Sequence, residues 1–472
     1  MKKILKIFVV LGMLCQISVL GQEAKTSATS YYDACVEGKQ EDGTYIMKIS
    51  KETMQSGQEC MALQDAFYTA KENASSKMHY IIVVEPGIYN LGFSLHMYRY
   101  TTLYAEGVTF KLKGHTGNML KVGDVGATGD SKKGYYYADI VVNGGIWNGN
   151  RTQKPIYRAA HCKNLVIQNA VFKSCVNTHL MEVAALDGFT VRNCVFKNGY
   201  RAKGNKNSLA NEAIQIDITQ KNHFGAVASE IITSRNITIE NNSFENVLRG
   251  VGSHTAWVGL PMTNIKILGN TFKDIPSVAI ECLNYQGCLI ENNTMVRCGR
   301  GISVFSVSAN ANGMYNSKKK ASKILNAKTI IRNNTIDVRN TDTCVSSGIA
   351  VQGANLKKAT KGDGDKIAKG NYAVSNVQIY NNNISTKAMG ILIRDGKKIT
   401  IKNNTVASNG KGNNYGILVK EASQGVRLQE NTITAAKTKN QYAIVVSADS
   451  KKVTVKKNAI KRHKKKILNL GH

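Results

Sequence analysis

The stretch that decides the fold reads KNLVIQNAVF at 163–172, DGFTVRNCVF at 187–196, RNITIENNSF at 235–244 and TNIKILGNTF at 263–272. Each copy alternates apolar and polar residues, turns at an asparagine and resumes on an apolar residue. The template returns as QGCLIENNTM, KTIIRNNTI, SNVQIYNNNI, KKITIKNNTV, QGVRLQENTI and KKVTVKKNAI, down to Ile460. Asn169, Asn193, Asn242, Asn270, Asn293, Asn334, Asn404, Asn431 and Asn458 mark the register. Repeats of about 20–30 residues cannot bury their apolar faces alone and must stack on their neighbours. Alternation sends Ile, Val and Phe inward, where like residues of successive coils pile up. Asparagine tolerates the left-handed backbone of a tight corner, and its amide can bond to the next one in a stack. A β-branched residue at Asn293 is therefore expected to strain a left-handed corner. Triplets such as Asn292-Asn293-Thr294 read as corner ladders rather than glycosylation sites.

Between these corners lies a further strand with its own pattern: HLMEVA, EAIQID, RGVGSH, VAIECL, RGISVF, SGIAVQ, MGILIR, YGILVK and YAIVVS. Three short strands per coil define an all-β fold, a single-stranded right-handed parallel β-helix. The period breaks at Tyr200–Glu230, Ala309–Ala327 and Leu356–Ala373, polar stretches expected to leave the solenoid as groove-walling loops. Upstream, MALQDAFYTAKEN at Met61–Asn73 places Ala62, Leu63, Ala66, Phe67 and Ala70 on one helical face. An open solenoid end exposes apolar core and unpaired backbone, so this helix is the expected cap. The chain thus divides into a leader at 1–21, a segment of unclear structure at 22–60, and the capped β-helix at 61–472 with a basic tail.

The leader has Lys2, Lys3 and Lys6 ahead of an apolar stretch from Ile7 to Leu20, followed by a polar run. That stretch is shorter than the ~20 residues of a spanning helix, so it reads as an export signal and implies a secreted, cell-surface or periplasmic protein. No later stretch is long enough to span a membrane. The formal charge is +31, and losing the three leader lysines leaves +28. Such a surface attracts polyanions. Export argues against nucleic acid, and an acidic polysaccharide or an anionic cell surface fits better; acidic polysaccharide is the expected partner, and the protein is expected to be a monomer. Apart from Cys15 there are nine cysteines, too odd a number for a fully paired framework. Cys162, Cys175 and Cys194 fall at core positions, and only Cys35 with Cys60 looks able to pair.

Aligning the third strands on Met181, Ile214, Val251, Ile280 and Ile302 turns outward residues into columns about 4.8 Å apart. One column holds Glu182, Gln215, Gly252, Glu281 and Ser303; the next holds Ala184, Asp217, His254, Leu283 and Phe305. His179, Glu212, Arg249, Val278 and Arg300 stand at the strand entrance. Carboxylates, histidines and arginines concentrate in adjacent coils, which a random solvated face would not do. Asp217 and His254 are expected to face one another across adjacent coils as a proton-transfer pair. Glu212, Arg249 and Glu182 complete the expected catalytic group, with His179, Gln215, Arg300 and Glu281 as substrate-binding residues.

At this point the chain resembles the pectate-lyase-like β-helix superfamily over roughly residues 60–460. The resemblance rests on the N-terminal helix followed by VVEPGIYNLG, on GGIWNGN at 144–150, and on the asparagine-corner coils. It implies a carbohydrate-active site on the third-strand face, and leaves the reaction open because the superfamily holds lyases, hydrolases, epimerases and binding proteins. The paired aspartates of its polygalacturonases are missing: the corresponding strands read NTHLME, NEAIQID, GVGSHT and CGRGIS. Pectate-lyase-type chemistry would place calcium on Glu182, Glu212 and Asp217, with Arg249 or His254 as base. The first expectation is therefore a polysaccharide lyase on a uronic-acid polymer. A glycoside hydrolase would instead use two carboxyl groups, Asp217 with Glu212 or Glu182. A non-catalytic surface-binding solenoid is the third alternative.

Overall fold

The computed structural model describes residues 30–471 apart from 115–116, 125–131, 205–210, 220–229, 308–313, 317–326, 340–345, 359–366, 368, 409–414 and 436–441. The expected leader, and at least half of each of the Tyr200–Glu230, Ala309–Ala327 and Leu356–Ala373 segments, lie outside the described residues. The chain divides into Met1–Cys35 and Val36–His472. In the first unit a short helix, Tyr31–Ala34, is capped by the Ser30 hydroxyl, which accepts from Asp33 N–H.

The second unit is a right-handed parallel β-helix made almost wholly of short strands. Its sheet begins earlier than the repeats suggest. Tyr45–Ile49 is already a rung, paired in parallel with Tyr80–Val84, which pairs in turn with Thr101–Leu112. The expected cap helix spans Met61–Asn73 and buries Leu63, Gln64, Ala66, Phe67 and Ala70. Gln64 is the polar member of that face for a reason. Its Oε1 accepts from His96 N–H at 2.7 Å, and its Nε2 donates to the His96 carbonyl at 3.3 Å. The helix thereby satisfies backbone groups of the Leu95–Met97 edge strand, which would otherwise be buried without partners.

Inside, like residues stack as the alternation requires. Phe172, Phe196, Phe244 and Phe272 form a column with centroid spacings of 5.4, 5.0 and 4.6 Å. Cys162, Cys175 and Cys194 are buried in the core. Cys60, suggested as a partner for Cys35, is a buried thiol whose Sγ lies 3.6 Å from the Asn90 carbonyl.

The corner asparagines separate into two positions that the spacing had merged. Asn169, Asn193, Asn241, Asn292, Asn333, Asn381 and Asn403 carry the left-handed backbone, with φ between 55° and 58°. The next residue faces inward. There Asn242, Asn270, Asn293, Asn334, Asn382, Asn404, Asn431 and Asn458 form a ladder, each of the first seven donating from Nδ2 to the side-chain carbonyl of the next at 2.9–3.0 Å. Asn293 is therefore a buried ladder residue, and Asn292 beside it is the left-handed one.

Candidate active site on the third-strand face

The first of the columns assigned from the sequence holds in the pairing. Glu182 lies beside Gln215, Gln215 beside Gly252, Gly252 beside Glu281, and Glu281 beside Ser303. Glu212 lies beside Arg249 at the strand entrance. One coil earlier, Arg158 occupies the same column as Glu182. This residue was missed because the alignment began at Met181, although YRAAHC at 157–162 carries the same register.

Glu212 is the hub. Its buried carboxylate accepts from Arg249 Nη1 at 3.2 Å and His254 Nδ1 at 3.0 Å, with His179 Nδ1 at 3.5 Å. Arg249 also reaches Glu281 at 3.1 Å, so one guanidinium bridges two carboxylates. The His179 and His254 rings stack at 5.6 Å, and His179 Nδ1 lies 3.1 Å from the Glu212 carbonyl. Gly252 makes room for this crowd, since a Cβ there would sit 2.9 Å from the Glu281 carbonyl oxygen and 3.5 Å from Glu212 Cγ.

Burial alone would raise the Glu212 carboxyl, but His254, Arg249 and His179 outweigh it and hold it at about 2. Burial would likewise lower His254; the Glu212 carboxylate overrides it and pushes the imidazole up to about 9. His179 yields to burial and falls to about 4, despite the same carboxylate. His254 is thus a cation at neutral pH and His179 is neutral. With both His254 nitrogens donating, Nδ1 serves Glu212 and Nε2 faces the Gln215 amide, whose nitrogen lies 3.4 Å away. The Gln215 carbonyl oxygen is buried without a partner, and turning this isosteric amide over offers it to the imidazolium.

Glu182 follows a different rule. Burial pushes its carboxyl up to about 7, against the pull of Arg158, whose Nε lies 2.9 Å from Oε2. Nearby Asp217 adds to the rise and His254 opposes it. A carboxyl group near neutrality beside a fixed cation is equipped to move a proton in either direction. Burial also raises Glu281, on the far side of Arg249. Arg300 sits at the margin, donating to Ser303 Oγ at 3.3 Å with its guanidinium over Phe305.

Two expectations are corrected. Asp217 and His254 do not form the hydrogen-bonded pair. The ladder between their strands stops at Gln215–Gly252, and the Ser253 hydroxyl bonds to the Ile216 carbonyl where the ladder would have continued. The chain bends there, so His254 turns back to Glu212 and Thr255 becomes the donor to Asp217 Oδ1. Asp217, only 2% exposed, also accepts from Ile218 N–H. Nor do Glu182, Glu212 and Asp217 make a calcium site. Calcium takes six to eight oxygens, whereas Glu212 is ringed by cations, Glu182 is paired with Arg158, and Asp217 is committed to Thr255 and Ile218. The ligand atoms that do converge among the described residues, within 4.8 Å of one another, belong to His179, Glu212 and His254. Two imidazoles and one carboxylate suit a transition ion better than calcium, yet Arg249 on that carboxylate and the charge on His254 oppose any cation.

Fold and site together define a right-handed parallel β-helix with a charged, partly buried third-strand face. Residues 324–472 match the family described as "Right handed beta helix region". Among solved structures, the surface protein and adhesin PfbA of Streptococcus pneumoniae superposes with a TM-score of 0.60 at 17% identity, over 89% of this chain and 100% of that one. An exopolygalacturonase from Thermotoga maritima superposes with a TM-score of 0.50 at 10% identity, over 81% of this chain and 92% of that one. Identities this low establish a shared fold alone, the right-handed parallel β-helix. Comparison with curated proteins gave no match.

Proposed function

We propose that the third-strand face is the active site of an exported enzyme that cleaves a uronate-containing polysaccharide by β-elimination. The observation that carries this reading is Glu182, a carboxyl paired with Arg158 at 2.9 Å and held at about 7, within electrostatic reach of the His254 imidazolium. Elimination breaks the C–H bond next to the uronate carboxyl group and delivers that proton to a base. Its electrons form the new C=C bond as the glycosidic C–O bond breaks, and the departing oxygen is then protonated. Glu182 is the base, roughly half ionised at neutral pH. His254 is the cation that stabilises charge spreading onto the uronate carboxylate. Glu212, Arg249 and His179 are positioning residues that fix the imidazolium and its charge. The excess of basic residues and the leader-like N-terminus support an acidic glycan met outside the cytoplasm.

A hydrolase reading is favoured by one observation, the electrostatic coupling of Asp217 to Glu182. In that case Glu182 donates its proton to the leaving oxygen and Asp217 activates water. The burial of Asp217 and its bonds to Thr255 and Ile218 weigh against it. The test is incubation with a panel of acidic polysaccharides, following ultraviolet absorbance of unsaturated uronate together with reducing ends. Elimination raises both signals, whereas hydrolysis raises reducing ends alone. Inertness across the panel sinks both readings.

A further inference from the structure

The outward column that holds Glu182 continues toward the capped end of the solenoid. His96 lies beside Lys121, Lys121 beside Arg158, and Arg158 beside Glu182, one coil apart at each step. At about 4.8 Å per coil, Lys121 and Glu182 stand roughly 10 Å apart at the backbone. The counter-ions are unevenly shared along this row. Arg158 has Glu182. His96 directs Nδ1 to the Gly123 carbonyl at 2.8 Å, with Asp124 3.9 Å from the same nitrogen. Lys121, between them and partly buried, has no carboxylate within ion-pair distance among the described residues. Burial, and then the Arg158 guanidinium, pull its ammonium below the ordinary lysine value.

This arrangement is costly for the free protein. Even partial burial of an ammonium without a counter-ion costs hydration, and like charges on neighbouring strands destabilise a sheet. A solvated lysine-rich surface does not account for it, because the side chain is partly buried and its residue lies next to an arginine in the column.

We propose that Lys121, backed by Arg158, forms an anion subsite that takes the carboxylate of a uronate unit about two coils from the one processed at Glu182. The proposal rests on reading the Glu182 site as glycan-cleaving. An acidic polymer laid along the column, across the strands, presents one carboxylate per sugar. A second fixed cation then sets the chain's phase and direction relative to Glu182, and requires an acidic sugar at that remote position as well as at the point of cleavage. A charge-assisted bond in a half-buried setting is stronger than one at the surface, and Lys121 gains there the counter-ion it lacks.

The test uses the full chain carrying Glu182→Gln, so that ligands bind without turnover. Calorimetry compares oligouronates from the same polysaccharide panel with their carboxyl-reduced, neutral counterparts, with and without Lys121→Gln. The expected result is about tenfold weaker binding of the acidic ligand in Lys121→Gln, unchanged binding of the neutral one, and recovery in Lys121→Arg. The melting temperature of Lys121→Gln should equal or exceed that of its parent, because the charge removed had no partner. Equal affinity of parent and Lys121→Gln for the acidic ligand overturns the subsite while leaving the Glu182 reading intact. Equal loss of acidic and neutral binding also overturns it, since the lysine would then be serving packing. Cleavage that persists in Glu182→Gln overturns the reading of the site instead, and no binding to any oligouronate overturns both.

Discussion

Glu212 is a buried and Glu182 a partly buried carboxyl group on one strand face, yet their surroundings push them to opposite sides of the ordinary carboxylate range. Glu212 has three nitrogen partners and is held at about 2, while Glu182 has a single guanidinium and rises to about 7. That split suits the proposed roles, with the first group as a fixed anion and the second as a proton carrier. It also fixes the sign of the pH–rate profile. If Glu182 is the base, kcat/KM should rise as pH passes about 7 and fall as His254 loses its proton near 9. Glu182→Gln should abolish turnover, and His254→Gln should remove the alkaline limb along with most of the rate. A rate that instead falls through about 7 in the wild type would make Glu182 the acid and favour the hydrolase. The column that holds Glu182 was legible in the spacing, because register in a solenoid is fixed by the inward apolar residue of each coil. The hydrogen-bonded partners were not. They depend on the bend after Gly252, where the Ser253 side chain replaces a backbone rung, and the sequence pattern has no term for that.

At the scale of the repeating element, the asparagine corner shows how far a motif can be read. Its recurrence gave the register of the later coils and the fold. Which asparagine does what stayed hidden, since adjacent asparagines satisfy either position: one tolerates left-handed backbone, the other offers both a donor and an acceptor to a buried ladder. The two roles predict different costs. Asn293→Val leaves the Asn270 and Asn334 side chains without their ladder partner and should destabilise by about 2–4 kcal/mol, several buried hydrogen bonds being lost together. Asn292→Val forces a β-branched residue to a φ of 58° at an exposed site and should cost about 1–2 kcal/mol. Denaturant midpoints of the two variants decide the matter, and the reverse ordering would mean that the inward ladder contributes less than the corner. The cap was legible in outline for the same reason, as an apolar helical face. Gln64 was not, because its value lies in the His96 backbone it satisfies.

For the molecule as a whole, charge is the property with the widest reach. A formal +31 makes binding to an acidic glycan steeply salt-dependent. Affinity should fall sharply between low and physiological ionic strength, and salt-insensitive binding would remove charge as the basis for partner choice. Global stability responds to pH through the site, and the signs can be followed group by group. Glu212 is depressed to about 2, so its contribution is present above its ordinary value of 4.5 and is lost as pH falls toward 2. His179, depressed to about 4, likewise contributes above 6.5 and loses this as pH falls through 4. Glu182 is raised to about 7, so its contribution is complete below 4.5 and is lost as pH rises through 7. His254, raised to about 9, contributes below 6.5 and loses it as pH rises through 9. The first pair opposes acid and the second opposes base, which leaves a plateau near pH 4.5–6.5 with a decline on either side. The many lysines add their own background, so the measurement should be a difference. Melting temperatures of wild type and Glu182→Gln, taken from pH 4.5 to 8, cancel every group but one. The amide cannot ionise, so the variant should gain on the wild type steadily as pH rises through 7 and then level off. A constant difference across that range would mean that Glu182 titrates like a solvent-exposed carboxyl, and would take away its role as proton carrier.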